Sequence, residues 1–291
     1  MPALARGCDY SWDHPDLGCM KNSHGIEFIA RYASRDPTKN LTRAELDSAL
    51  GKGLSVVIIW QEGKTQMTRG YGGGQADALD ADAFVNSLGL YGIPVIFSCD
   101  QDYEAASSST KTAIDGYCDG AKSVVGKPRM GGYGDDSFCG RQFDAGRITY
   151  GMQTYAWSEG AWDSRCQLRQ VQNNVTVCGG LIDWDEAWAD DYGQWPRPAA
   201  AGPAGVLVSP SAAFHGGRQY YAYIDPQGHV CVNGGVTDPG SSARSGVGLA
   251  IDPATGKKVI SYTNSAGKLC AYEQQPGSTT WGWVNKGWDA K

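Results

Sequence analysis

Asp100, Asp102 and Glu104 fall at alternate positions where the apolar run "PVIFSC" (94–99) gives out. Alternate residues of a strand project to one face, so this spacing aims carboxylates the same way. The signature recurs in "LIDWDEAW" (181–188), where Asp183 and Asp185 are two apart. Single acids close two further runs, Asp9 in "GCDYS" and Glu62 in "LSVVIIWQEG". Two carboxyl groups flanking a glycosidic bond are the minimal machinery for its hydrolysis: one donates a proton to the leaving oxygen, and the other is ionised as nucleophile or base. Crowding produces that division, because a like charge nearby raises at least one pKa and the groups then titrate as a unit. Aromatic residues near the same run ends, Tyr10, Trp12, Trp60, Tyr103, Tyr155, Trp157 and Trp184, suit the apolar faces of sugar rings.

Other chemistries find less support. An acid after a strand is also a common N-cap for the following helix. Clustered aspartates also suit a metal, but the four histidines are scattered and none of the nine cysteines forms a CxxC. Neither a metal nor another cofactor is therefore expected. No GxSxG elbow supports acyl transfer.

Carboxylates meet only if strands deliver them to one place. Strand-like runs occupy 6–11, 27–34, 54–63, 93–102, 128–134, 148–158, 167–174 and 179–188, several of them apolar throughout, as befits strands covered on both faces. Helix-like stretches lie between them. "LTRAELDSALGKG" has Thr42 as N-cap and Glu45 placed for a capping box; "QADALDADAFVNSLG" ends at Gly89; "STKTAIDGYCDGAKSVVG" and the short "DSFCGRQFDAG" follow. This alternation predicts a parallel α/β fold, and eight strands favour a closed (β/α)8 TIM-like barrel with an irregular second half. A doubly wound sheet is the alternative, but no Gly-rich phosphate loop follows a strand, and "GYGGG" at 70–74 lacks that context. In a closed barrel the strand ends converge on one mouth and strand 8 returns beside strand 1, so Asp9 would face Asp183 and Asp185. The candidate catalytic residues are Asp9, Asp100, Asp102, Asp183 and Asp185. Tyr10, Glu62, Gln153, Tyr155, Trp157 and Gln170 are the candidate substrate contacts.

The 291 residues suffice for one large domain or two smaller ones. The expected organisation is a barrel over 1–193, a Pro/Ala/Gly-rich linker, "QWPRPAAAGPAG", over 194–205, and an all-β module over 206–291. The module carries two repeats of about 39 residues, a period that resembles a propeller blade or a hairpin repeat. "GRQYYAYIDPQGHVCV" (217–232) aligns with "GKKVISYTNSAGKLCA" (256–271), matching Tyr223 to Tyr262 and Cys231 to Cys270. Net charge is −6, and the acidic excess lies in the first 201 residues. Such a body is a poor partner for nucleic acid. No apolar run is long enough to cross a bilayer. The nine cysteines are open to two readings, buried thiols or one or more disulfides.

The motifs "GCDYSW", "FIARYAS", "LTRAELDSALGKGLSVVIIWQEG", "GIPVIFSCDQD", "GGYGDDSFCG", "YGMQTYAWS" and "LIDWDEAW" run in this order through residues 5–193. Together they resemble the glycoside-hydrolase-like family known as a domain of unknown function and related in fold to the family 25 lysozymes, which cleave peptidoglycan. The resemblance implies a (β/α) barrel with acids on the first strand, in an Asp-x-Glu on the fourth and on the last, places that Asp9, Asp100 and Asp183 or Asp185 occupy. Asp102 stands where those lysozymes carry the glutamate general acid, and Asp-x-Asp is usual in the glycoside-hydrolase-like family itself. It further implies cell-wall glycan as substrate, with Asp102 as acid and Asp100, Asp9 or Asp183 as nucleophile or electrostatic partner. The N-terminus has no apolar signal core, so the expected location is extracellular or virion-associated, as a phage lysin or a minor tail protein with other virion proteins as partners. The alternative is a catalytically inactive glycan-binding or structural protein on the same barrel. The C-terminal repeats resemble, more loosely, modules that bind sugars or attach proteins to cell surfaces.

Overall fold

The computed structural model describes residues 2–196 continuously and, beyond them, residues 211–215, 218–224, 230–232, 235–238, 243–251, 254–255, 257–264, 268–275 and 282–289. The chain divides into two compact units, Met1–Pro198 and Ala199–Lys291. Most of the expected linker, from 197 onward, lies outside the described residues.

In the first unit eight strands close into a barrel in sequence order. They are β1 (Ala5–Tyr10), β2 (Phe28–Ala33), β3 (Ser55–Trp60), β4 (Val95–Ser98), β5 (Met130–Gly134), β6 (Tyr150–Thr154), β7 (Leu168–Val177) and β8 (Gly180–Ala187). Helices α1 (Leu17–His24), α2 (Arg43–Gly51), α3 (Gly70–Ser87), α4 (Ser108–Val125) and α5 (Asp136–Asp144) follow the first five strands in turn. The second half is irregular, as expected: β6 and β7 are joined by a loop, and β7 and β8 by a tight turn.

One strand departs from the parallel expectation. β8 runs antiparallel to both β7 and β1. The cause is local: Cys178 and Gly179, with φ of 50° and 81°, form a two-residue turn. Positive φ at both centres is the hairpin geometry, and a parallel strand would need a crossover of a dozen residues or more. The reversed strand still starts at the mouth, so Asp183 arrives there from the N-terminal half of β8 and pairs in register with Asp9.

Strand alternation sorts the core into two layers. Phe28, Ala30, Val57, Ile59, Ile96, Met152, Leu168 and Ala187 fill the barrel interior with Tyr192, whose ring lies 4.9 Å from that of Phe28. Ile29, Ile58, Trp60 and Phe97 point outward and pack with the helices. Each such side chain contributes about 1.5–3 kcal/mol on burial. The glycines of "GYGGG" open α3 and permit a close crossing: a Cβ on Gly74 would lie 2.0 Å from the Tyr117 carbonyl oxygen of α4. Helix α2 is capped by Thr42, whose hydroxyl accepts from the Glu45 N–H at 3.1 Å. Glu45 does not complete the expected box, because its carboxylate turns inward to Arg31 and Tyr10. Helix α1 is short and weakly amphipathic, so its apolar pattern gives no signal; Asp16 caps it by accepting from Cys19 N–H at 2.7 Å.

Both readings of the cysteines hold. Cys19 of α1 and Cys178 of the β7–β8 turn form a disulfide, while Cys8, Cys99, Cys118, Cys139, Cys166 and Cys270 are buried thiols. The bridge joins positions 159 residues apart, a long loop to constrain in the unfolded chain. Replacing both partners with alanine is expected to cost about 2–4 kcal/mol, read as a lower urea midpoint of the barrel. An unchanged midpoint would contradict a stabilising role.

The second unit holds two four-stranded antiparallel sheets. The first is β9 (Ser211–His215), β10 (Arg218–Ile224), β11 (Val230–Val232) and β12 (Gly235–Asp238); the second is β13 (Ala243–Ile251), β14 (Lys258–Asn264), β15 (Lys268–Gln274) and β16 (Gly282–Asp289). The repeat corresponds to one hairpin in each sheet. Tyr223 pairs with Cys231 across β10 and β11, and Tyr262 with Cys270 across β14 and β15. The matching glycines at 217, 228, 256 and 267 lie outside the described residues.

Candidate active site

Barrel register brings the acids of β1 and β8 together. Asp9, 2% exposed, accepts from the Tyr32 hydroxyl at 2.8 Å and from Gln170 Nε2 at 2.7 Å. Gln170 is the junction of the site. Its Nε2 also donates to Asp183 Oδ2 at 3.1 Å, and its Oε1 accepts from the Tyr133 and Thr154 hydroxyls, each at 2.9 Å. The second oxygen of Asp183 accepts from the Asn174 backbone N–H at 2.7 Å. Asp100 follows β4 and is half-buried; its one side-chain donor among the described residues, Gln61 Nε2, stands off at 3.4 Å. Asp185 pairs with Gly7, two residues deeper along the strand, and is fully buried. Neither of its oxygens has a hydrogen-bond partner among the described residues.

Burial dominates the electrostatics. It pushes Asp9 up to about 7, with the Asp183 charge adding and the bonds from Gln170 and Tyr32 opposing. Burial also raises Asp183, against the Asn174 N–H and with Asp100. Asp100 is raised by burial too, opposed by Lys64 and Lys39. Asp185 is held well above the carboxylate range by burial and by the Asp9 and Asp183 charges. Carboxyls raised by burial and by one another therefore share one mouth, the setting in which acid and base roles can divide. Burial also lifts the Tyr32 and Tyr133 phenols well above their usual range, which keeps both as donors.

A family model described as "Rv2525c-like, glycoside hydrolase-like domain" matches residues 19–189. The chain belongs to this family. Among solved structures, the Rv2525c-like barrel is similar to the Tat-secreted protein Rv2525c of Mycobacterium tuberculosis, solved with L-tartrate. That match has 22% identity and a TM-score of 0.62, covering 66% of this chain and 100% of the other. The same protein with HEPES matches at 22% identity and a TM-score of 0.61, with the same coverage. A family 25 glycosyl hydrolase from Bacillus anthracis is similar at 10% identity and a TM-score of 0.39, over 66% of this chain and 94% of that one. No curated protein matches the sequence.

The Rv2525c-like barrel disperses the other candidates. Tyr10 follows inward-facing Asp9 and so points outward, where it is buried with its hydroxyl on Glu45 Oε1 at 2.7 Å. Gln153 precedes inward-facing Thr154 and likewise turns away. It organises the β6–β7 loop, donating to the Ala161 carbonyl at 2.9 Å and accepting from Asp163 N–H at 2.9 Å. Glu62 accepts from the Arg35 backbone N–H at 2.5 Å and holds the loop after β2. Asp102 accepts from Ala105 N–H at 2.8 Å, and its charge acts on Asp135, the buried N-cap of α5. Tyr155 and Trp157 are exposed on the loop leaving β6, at 47% and 41%. Of the expected contacts, Gln170 alone sits among the acids.

Tyr32, Tyr133 and Thr154 join the site without having been singled out by residue type. Strand alternation contains the signal for Tyr32, which continues the inward series Phe28, Ala30. Among the described residues, one group has metal-ligand spacing, Cys19, His24 and Cys178, and its two sulfurs are bonded to each other.

Proposed function

We propose that this barrel cleaves a glycosidic bond in a bacterial cell-wall polysaccharide by carboxylate acid–base chemistry. The contrast between Asp183 and Asp100 carries the reading. Both oxygens of Asp183 accept hydrogen bonds, from Asn174 N–H and Gln170, which favours the carboxylate. Asp100 is half-buried with, among the described residues, only the distant Gln61 amide, which favours the acid. In this reading Asp100 protonates the leaving oxygen, Asp183 is nucleophile or base, and Asp9 behind it supplies a protonatable partner. Tyr155 and Trp157 offer exposed rings to the sugar. The family resemblance gives the acid's role to Asp102, but its carboxylate is engaged within its own loop by the Ala105 N–H.

The cell wall as target is supported by the glycoside-hydrolase-like family and by the secretion of Rv2525c, a protein of similar fold. The Cys19–Cys178 disulfide fits an oxidising location outside the cytoplasm. A phage lysin and a minor tail protein would both bring this chemistry to the same wall. A barrel that binds glycan without cutting it is favoured by one observation, the engagement of Asp102 with its own loop.

Reducing-end release from purified peptidoglycan decides between them. Release is expected from the intact protein, reduced about 10²–10⁴-fold by Asp100→Asn and less than tenfold by Asp102→Asn. No release, with sedimentation on cell walls retained, would establish the binding reading.

A further inference from the structure

Lys39 ends the short 3-10 turn Pro37–Lys39 between β2 and α2 and is only 6% exposed. Several buried charges of this barrel are held in ion pairs: Arg31 with Glu45, Asp77 with Arg35 and Arg69, and Asp115 with Arg141. The Lys39 ammonium makes no such pair among the described residues. It lies between two aromatic rings instead, 5.4 Å from the centre of Tyr32 and 6.0 Å from that of Trp12. Burial lowers its pKa, against the fields of Glu62, Asp36 and Asp100. The stem is packed away while the ammonium tip keeps access to solvent, so an anion can reach it.

Its place makes that anion part of a substrate. The hydroxyl of Tyr32 bonds to Asp9, and the field of Lys39 reaches Asp100, so the ammonium borders the acid mouth. Trp12 beside it is 60% exposed and is steadied by a bond from its Nε1 to Thr38 Oγ1 at 3.1 Å, leaving a ring face for a sugar. Resting on the glycan reading above, we propose that Lys39 binds the carboxylate of an acidic sugar and makes the mouth selective for acidic over neutral glycans. A carboxylate fits better than a phosphate monoester, because a single negative charge meets less repulsion from the Asp183 carboxylate.

Two matched sugar pairs test this by NMR titration at pH 7. Glucuronic acid against glucose probes a ring carboxylate, and N-acetylmuramic acid against N-acetylglucosamine probes an ether-linked one. In at least one pair the acid is expected to bind about tenfold tighter or more, as for a charge-assisted hydrogen bond. Lys39→Met should abolish that preference without changing the affinity for the neutral sugar, and Lys39→Arg should retain it. Equal binding of acidic and neutral sugars by the unmodified protein, or a preference that survives Lys39→Met, would overturn the role of Lys39 and leave the glycan reading standing. Binding of no sugar in either pair would overturn both. Should Lys39→Met fail to fold, Lys39→Gln replaces it, and the preference of the unmodified protein remains decisive.

Discussion

Raising the pH from 5 to 8 is expected to destabilise the barrel by about 3 kcal/mol through Asp9 alone. Asp9 titrates near 7 in the folded protein against an ordinary 3.8. Between those values the folded state binds the extra proton, so stability falls as pH rises. The contribution is fully present below about pH 4 and is lost as pH passes 7. Asp183 and Asp185 are shifted in the same direction and steepen the decline. Below about pH 4 the trend reverses, because groups such as Asp163, held below the usual range mainly by Arg165, lose their ion pairs. Thermal unfolding should therefore show a maximum on the acid side of neutrality and a fall of several degrees by pH 8. Asp185→Asn removes a buried acid that has no hydrogen-bond partner among the described residues. It should flatten the decline, raising the melting temperature at pH 8 more than at pH 5. A profile flat from pH 5 to 8 would refute the upward shift of the buried carboxyls.

Arg31→Met is expected to cost about 3–5 kcal/mol, the penalty for stranding a buried partner charge. Arg31 is wholly buried on the outer side of β2, its Nε 2.7 Å from Glu45 Oε1. It also donates to the carbonyls of Tyr10 and Lys39, and its guanidinium lies 4.3 Å above the Tyr10 ring. Burial opposes ionisation of Glu45, and Arg31 outweighs it, holding that carboxyl below its ordinary value. Without Arg31 the carboxylate is left buried with one hydroxyl donor and His14 at 3.3 Å. Urea unfolding should show the loss, and the double change Arg31→Met with Glu45→Leu should recover much of it. A single variant within about 1 kcal/mol of the parent would show that packing rather than the ion pair holds α2 to β2.

Strand alternation and apolar length make the barrel legible in the amino-acid sequence. All eight strands fall within or overlap the runs read from it, and Asp9 does face Asp183. The direction of β8 is not legible, because a run of alternating residues reads the same in both directions. The sign lies in the turn, where Cys178 adopts a positive φ that Gly or Asn more often supplies. Tyr10 and Gln153 are drawn toward the mouth by their nearness in sequence to Asp9 and Thr154. A one-residue step reverses the facing of a side chain, and both sit on the outer side of the wall.

The sequence by itself determined the barrel, its closure and the supply of acids to the strand ends, because these follow from local periodicity and from which residue types can be buried. Only the tertiary structure decided how those acids differ. One glutamine, Gln170, reaches both Asp9 and Asp183 from a strand far along the chain. A backbone N–H from the β7–β8 hairpin reaches Asp183 and, among the described residues, none reaches Asp185. Protonation is set by burial and by which donors arrive within about 3 Å, and these depend on contacts between residues up to 161 positions apart.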